Sequence, residues 1–230
     1  MVMATILPAI LAHSEEEFIE KVNRVRVLGL PLHIDVMDGI FVPDTTWAPP
    51  ERMRELLEGI EYEAHLMVSN PEHAVPVWIA AGANRVIFHA ESTTHEKMIC
   101  RATSPHCDKL MIALNPDTPI SHVTSIIGDF AGVLIMGVVP GKNGQPFQDI
   151  AIEKVSAVKA LRPDALVGVD GGVKPTNAVE LVKAGADLLV AGSALTEAQD
   201  CQSALLAFKQ ALNETEPLAR VMTPPDFSVN

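Results

Sequence analysis

Aromatic side chains are scarce in this 230-residue chain, at 4% of the sequence. Packing therefore falls to Val, Ile, Leu, Ala and Met, within a hydrophobic fraction of 48% that suffices for a substantial core. Cysteine occurs only as Cys100, Cys107 and Cys201. An odd count without any C-x-x-C pair argues against a disulfide framework or a thiolate zinc knuckle, and it fits a reducing cytoplasm. Basic residues are also few, 17 against 29 acidic ones, for a formal charge of -12. An acidic surface repels phosphate backbones, so nucleic acid is not an expected partner. A small phosphorylated ligand stays compatible, because a few backbone N–H groups can hold one locally. No apolar run is long enough to span a bilayer, and no membrane partner is expected. The opening MVMATILPAILA lacks a basic segment and is broken by Pro8, so it reads as a strand rather than a signal peptide.

What the chain does contain is a regular alternation. Short apolar runs (ATILPAIL, LHIDVMD, YEAHLM, RVIFHA, KLMIALN, GVLIMGV, ALVGVD and DLLVAG) are each followed by a helical pattern. Ser14 and Glu17 are spaced as a capping box for the first helix, with Gly29 as its stop. A short helix is expected near ISHVTSIIG. Strands bounded by helices imply a parallel sheet, and eight such pairs favour a closed (β/α)8 barrel, an α/β fold of the TIM-barrel type. An open doubly wound sheet would normally carry G-x-G-x-x-G after an early strand, and that motif is absent. The barrel is expected to occupy residues 1–213 as one domain, with 214–230 as a C-terminal tail.

Polar residues interrupt the apolar runs at particular places. His33, Asp35 and Met37 fall on one face of a strand, and Leu32, Ile34 and Val36 on the other. Burying an unpaired aspartate is costly, so the first face needs a compensating partner. A neutral histidine bonded to a buried aspartate would satisfy one such pair. His65 in AHLM and Asp170 in GVDGG also lie toward C-terminal strand ends, where barrel enzymes build their sites. Two imidazoles and two carboxylates converging there form a ligand set suited to Zn²⁺, Mn²⁺ or Fe²⁺. Gly171-Gly172 and Gly192-Ser193 follow the last two strands, where this fold commonly holds a phosphate. PGKNGQPF after the sixth strand has the composition of a lid or of an ordinary long loop. Met37, Met67 and Met136 near strand ends fill core gaps or form an apolar floor under a reacting carbon. His89 and Glu91, closing the fourth strand, read as structural or supporting groups.

With HIDVMDGIFVPD, AHLMVSNPE, IFHAES, ALNPDTP, MGVVPGKNGQPF, VDGGV and AGADLLVAGSA in that order, the chain resembles the ribulose-phosphate 3-epimerase family from about Ile6 to Leu195. The resemblance implies a ribulose-phosphate-binding barrel with one divalent metal, zinc foremost and Fe, Mn or Co as alternatives, and no organic cofactor. By motif it implies His33, Asp35, His65 and Asp170 as ligands, with Asp35 and Asp170 also the catalytic acid–base pair. It implies a phosphate grip at Gly144, Gly172, Gly192 and Ser193, an apolar cap of Met37, Met67 and Met136, and a homo-oligomer. The implied reaction inverts C3 of a phosphorylated ketose, D-ribulose 5-phosphate to D-xylulose 5-phosphate.

The chain departs from the family pattern at Ala9, where a serine is usual, and in the lid at Gly137, Val139, Lys142 and Asn143. Trp47-Ala48 stand where Phe-Gly is common. These changes leave open a ketohexose substrate such as D-allulose 6-phosphate, and a non-catalytic phosphosugar-binding barrel. An orotidine-phosphate decarboxylase-like site would want Asp-x-Lys-x-x-Asp, and no lysine occurs in HIDVMD. A Schiff-base aldolase would want a lysine projecting from a strand end at the active face. Lys109 begins the fifth strand, and Lys142 and Lys174 lie in loops.

Overall fold

The computed structural model describes residues 4–141 and 145–213; the expected tail at 214–230 and the lid positions 142–144 lie outside the described residues. The chain runs β1 (Thr5–Ile10), α1 (Glu15–Arg26), β2 (Leu32–Met37), α2 (Pro50–Leu56), β3 (Tyr62–Met67), α3 (Pro71–Ala81), β4 (Arg85–His89) and α4 (Glu96–Ala102). It continues through β5 (Leu110–Leu114), β6 (Gly132–Met136), α5 (Ile150–Leu161), β7 (Leu166–Asp170), α6 (Pro175–Ala184), β8 (Leu188–Ala191), α7 (Ser193–Thr196) and α8 (Cys201–Asn213). All eight strands are parallel to their neighbours, and β1 pairs with both β2 and β8, closing the ring. The fold is a TIM barrel. Among the described residues no helix is long and apolar enough to cross a membrane.

Strand alternation divides the core into two layers. Leu32, Ile34, Leu66, Phe88, Ile112 and Val167 point outward and pack beneath the helices. Leu7, Ile87, Met111, Leu134 and Val190 fill the barrel interior. Both layers are dominated by aliphatic side chains, as the shortage of aromatics requires. At Gly132 β6 lies close against β7: a Cβ there would lie 1.8 Å from the Leu166 carbonyl oxygen.

Local signals act with small changes. Ser14 caps α1 by accepting from the Glu17 N–H at 3.2 Å. The Glu17 carboxylate, however, accepts from the His13 N–H at 2.7 Å, one residue before the position a capping box uses. After β5 the expected short helix is replaced by two 3-10 turns, Ile120–His122 and Ile127–Asp129. Ile120, Val123, Thr124, Ile126 and Ile127 are β-branched and Gly128 follows them, a run poor in α-helix formers. The cysteines also need correction. Although their number argued against a disulfide framework, Cys100 at the end of α4 is bonded to Cys107, with Cα atoms 5.3 Å apart. Cys201 is the free, buried thiol.

Candidate metal centre and substrate cleft

The inward face of β2 carries His33 and Asp35, both buried. Parallel register sets Asp35 beside His65 on β3 and Met37 beside Met67. On the far side of the ring, register sets Met136 on β6 beside Asp170 at the end of β7. The four polar side chains converge: one potential ligand atom from each of His33, Asp35, His65 and Asp170 lies within 4.8 Å of all the others. His65 Nδ1 is 3.2 Å from Asp35 Oδ1 and 3.4 Å from Asp170 Oδ2. His33 Nε2 is 3.4 Å from Asp35 Oδ1 and 3.9 Å from Asp170 Oδ2.

The outer nitrogen of each histidine is also engaged. His33 Nδ1–H donates to Glu63 Oε1 at 2.6 Å, and Glu63 is in turn paired with Arg85. His65 Nε2 lies 2.9 Å from His89 Nε2, and His89 Nδ1 lies 3.3 Å from Glu91 Oε2. These contacts leave His33 Nε2 and His65 Nδ1 aimed at the two aspartates.

Electrostatics inside the cluster are governed by carboxylate–imidazole pairing. Burial opposes protonation of His33, but Asp35 and Glu63 outweigh it and raise its pKa well above the ordinary value. Burial likewise opposes protonation of His65, and Asp170 and Asp35 outweigh it. Burial alone would raise the Asp35 pKa; hydrogen bonds from His33 and His65 reverse this and hold it below the usual carboxylate range. His89 goes the other way, its pKa lowered by burial against the pull of Glu91. The carboxylates thus favour positive charge at the spot that His33 Nε2 and His65 Nδ1 face, whether a proton or a cation supplies it.

A divalent cation fits this arrangement. His33 Nε2 is buried without a hydrogen-bond partner and faces two carboxylate oxygens. A donor set of two imidazole nitrogens and two carboxylates is the chemistry that binds Zn²⁺, Mn²⁺ or Fe²⁺.

Above the cluster opens a cleft with Asp35 and Asp170 in its wall, while His33 and His65 are fully buried beneath. Ala9, Met37, Met67 and Met136 supply its apolar lining. Gly172, Gly192 and Ser193 line it on the side of β7 and β8. Gly172 has φ +70, and a Cβ there would come within 3.1 Å of Phe147, so glycine permits both the turn and the close approach of the segment after β6. Gly144 lies outside the described residues. Lys174, set aside as a Schiff-base lysine, lines the cleft from the loop before α6, and Asn177 Oδ1 accepts its backbone N–H.

Residues behind the site were harder to find in sequence. Glu63 is an inward charge two positions before His65, a periodicity that could have singled it out. Lys154 gave no signal: it sits on α5, yet its buried ammonium donates to the carbonyls of Asn115, Pro116 and Thr118 at 2.6–2.7 Å.

Comparison with known proteins bears on this cleft. The model of the ribulose-phosphate 3-epimerase family matches residues 2–196. The chloroplastic ribulose-5-phosphate-3-epimerase of Arabidopsis thaliana is 36% identical over 213 residues, 89% of this chain and 75% of that protein. The ribulose-phosphate 3-epimerase of Bacillus subtilis is 34% identical over 211 residues, 88% of this chain and 97% of its own. Among solved structures, 3-hexulose-6-phosphate synthase from Salmonella typhimurium superposes with a TM-score of 0.70 at 15% identity, covering 92% of this chain and 100% of its own. At that identity the last match speaks to the fold alone.

Proposed function

The chain belongs to the ribulose-phosphate 3-epimerase family and is an isomerase of that kind; from this premise we propose that it inverts C3 of a phosphorylated ketose, interconverting D-ribulose 5-phosphate and D-xylulose 5-phosphate, with a divalent cation, zinc foremost, held by His33, Asp35, His65 and Asp170. The observation that carries this reading is the convergence of two carboxylates and two buried imidazoles at the floor of one cleft.

The C3 proton of such a sugar lies next to the C2 carbonyl and is only weakly acidic. When bound, the cation supplies Lewis-acid polarisation of that carbonyl. Asp35 and Asp170 enter the cleft from β2 and β7, which β8 and β1 separate on one side and β3 to β6 on the other. A sugar lying between them presents one face to each carboxylate. One aspartate accepts the C3 proton, and the other delivers a proton to the opposite face, which inverts the centre. Met37, Met67 and Met136 exclude water around the reacting carbon. Gly172, Gly192 and Ser193, with Gly144 expected alongside, hold the phosphate and contribute binding energy remote from the chemistry.

A second reading keeps the reaction and lengthens the sugar by one carbon, as in D-allulose 6-phosphate. The methyl of Ala9 in the cleft wall favours it, because a hydroxyl that would contact substrate is replaced by apolar surface. Comparing kcat/KM for the two sugars separates the readings.

The main test is incubation of the metal-loaded protein with ribulose 5-phosphate in heavy water. Deuterium at C3 together with xylulose 5-phosphate is the expected result; absence of both removes the pentose reading. Asp170→Asn should slow exchange by about 10²–10⁴-fold. Ordinary turnover in that variant would remove Asp170 from proton transfer.

A further inference from the structure

Each metal-facing histidine has two ring nitrogens, and only the one carrying a lone pair can hold a cation. What the other nitrogen meets therefore decides which one is available. At His33 the partner is the carboxylate of Glu63, which accepts from Nδ1–H. At His65 the outer nitrogen meets a third buried histidine instead. His65 and His89 meet edge to edge, with ring planes 26° apart, centroids 5.1 Å apart and Nε2 atoms 2.9 Å from each other. At that distance one nitrogen must carry a proton and the other a lone pair.

Glu91 resolves which is which. Its Oε2 faces His89 Nδ1 at 3.3 Å, while its Oε1 accepts the backbone N–H of Asn115 at 2.8 Å. A carboxylate cannot donate, so the His89 proton belongs on Nδ1 and the lone pair on Nε2. His89 Nε2 then accepts from His65 Nε2–H, and the His65 lone pair is left on Nδ1, facing Asp35 and Asp170. Phe41 covers the His89 ring with centroids 4.9 Å apart, and His65 and His89 are both fully buried, so no solvent competes for the bond between them.

Resting on the metal-centre reading above, we infer that His89, oriented by Glu91, is a positioning residue that sets His65 in the tautomer able to bind the divalent cation through Nδ1. Loss of the His89 acceptor would let the His65 ring exchange tautomers or turn, and the cation would lose one preset ligand.

The test uses zinc as the probe and reads affinity rather than activity. Competition with a chromogenic chelator should show His89→Leu binding zinc about 10–100-fold more weakly than the unaltered protein. His89→Gln, which keeps an acceptor oxygen, should stay within about threefold of it. Equal affinity in the unaltered protein and His89→Leu would overturn the inference, as would a His89→Gln variant no tighter than His89→Leu. Should His89→Leu fail to fold, nitrogen-15 spectra of the unaltered zinc-loaded protein decide the matter. A proton on His65 Nε2 and zinc on Nδ1 are expected, and the reverse assignment overturns the inference. A protein that binds no zinc, manganese or iron at all would instead sink the metal-centre reading and this inference with it. Metal binding indifferent to residue 89 sinks the inference alone.

Discussion

Glu91 offers a quantitative check on the buried network. Burial would raise its pKa, but bonds from His89, Thr118 and the Asn115 backbone overcome this and push it from 4.5 down to about 2. Its side chain is 19% exposed, so solvent screens these bonds little. A folded pKa below the unfolded one means stability that is present above the unfolded value and lost as pH falls through the folded value. A fall of about 2.5 pH units corresponds to roughly 3 kcal/mol at neutral pH. By pH 3.5 roughly 2 kcal/mol of it should remain, and almost none below pH 2. Glu91→Gln removes the titration while keeping one acceptor and similar volume. Urea unfolding followed by circular dichroism, with both proteins stripped of metal by a chelator, should show the variant less stable by roughly 3 kcal/mol at pH 7. The gap should narrow by about 1 kcal/mol at pH 3.5. A gap that does not change with pH, or one under about 1 kcal/mol at pH 7, would refute the assignment of Glu91 as an ionised partner of this network.

Other perturbations follow from neighbouring features. Lys154→Met would leave the Asn115, Pro116 and Thr118 carbonyls without their ammonium donor and should cost about 3 kcal/mol by denaturant unfolding; a loss under about 1 kcal/mol would show that water replaces it. Gly132→Ala drives a Cβ to 1.8 Å from the Leu166 carbonyl oxygen, whereas Gly128 has open space around it. The first should therefore lose about 3 kcal/mol or more and Gly128→Ala little, read as midpoints of thermal unfolding. Equal midpoints would contradict the β6–β7 approach. Ala9→Ser restores a hydroxyl to the cleft wall and should raise kcat/KM for ribulose 5-phosphate by up to about tenfold, the worth of one buried hydrogen bond; an unchanged or lower value would show that the cleft is adapted to the methyl.

Much of the barrel could be read from periodicity because parallel strands enforce it. The alternation of His33, Asp35 and Met37 against Leu32, Ile34 and Val36 has one solution once a ring of helices covers the outside. The four converging residues were legible for the same reason: an ionisable side chain on an inward strand position near its C-terminal end can reach only the cleft or its floor. Partners that meet only when neighbouring elements pack together were not legible. The hydrogen bond from Lys154 on α5 to the loop after β5 depends on a packing distance that no local pattern encodes. His89 was recognisable as a supporting group, but the direction of its bond to His65 emerges only when Glu91 is seen behind it. The bridge between Cys100 and Cys107 was hidden because spacing says nothing about how a helix end folds back on the turn that follows. In the segment after β5 hydrophobic spacing suggests a helix, but the poor helix propensity of its β-branched run prevails and leaves two 3-10 turns.

The pairing of β1 with β8 has a consequence for self-association. A row of unsatisfied backbone donors and acceptors is what lets open sheets recruit a further strand from a second molecule. Here each of the eight strands has a neighbour on both sides. Two copies of this chain that meet through the described residues must therefore do so through helices and loops, by side-chain complementarity, and not by extending a common sheet.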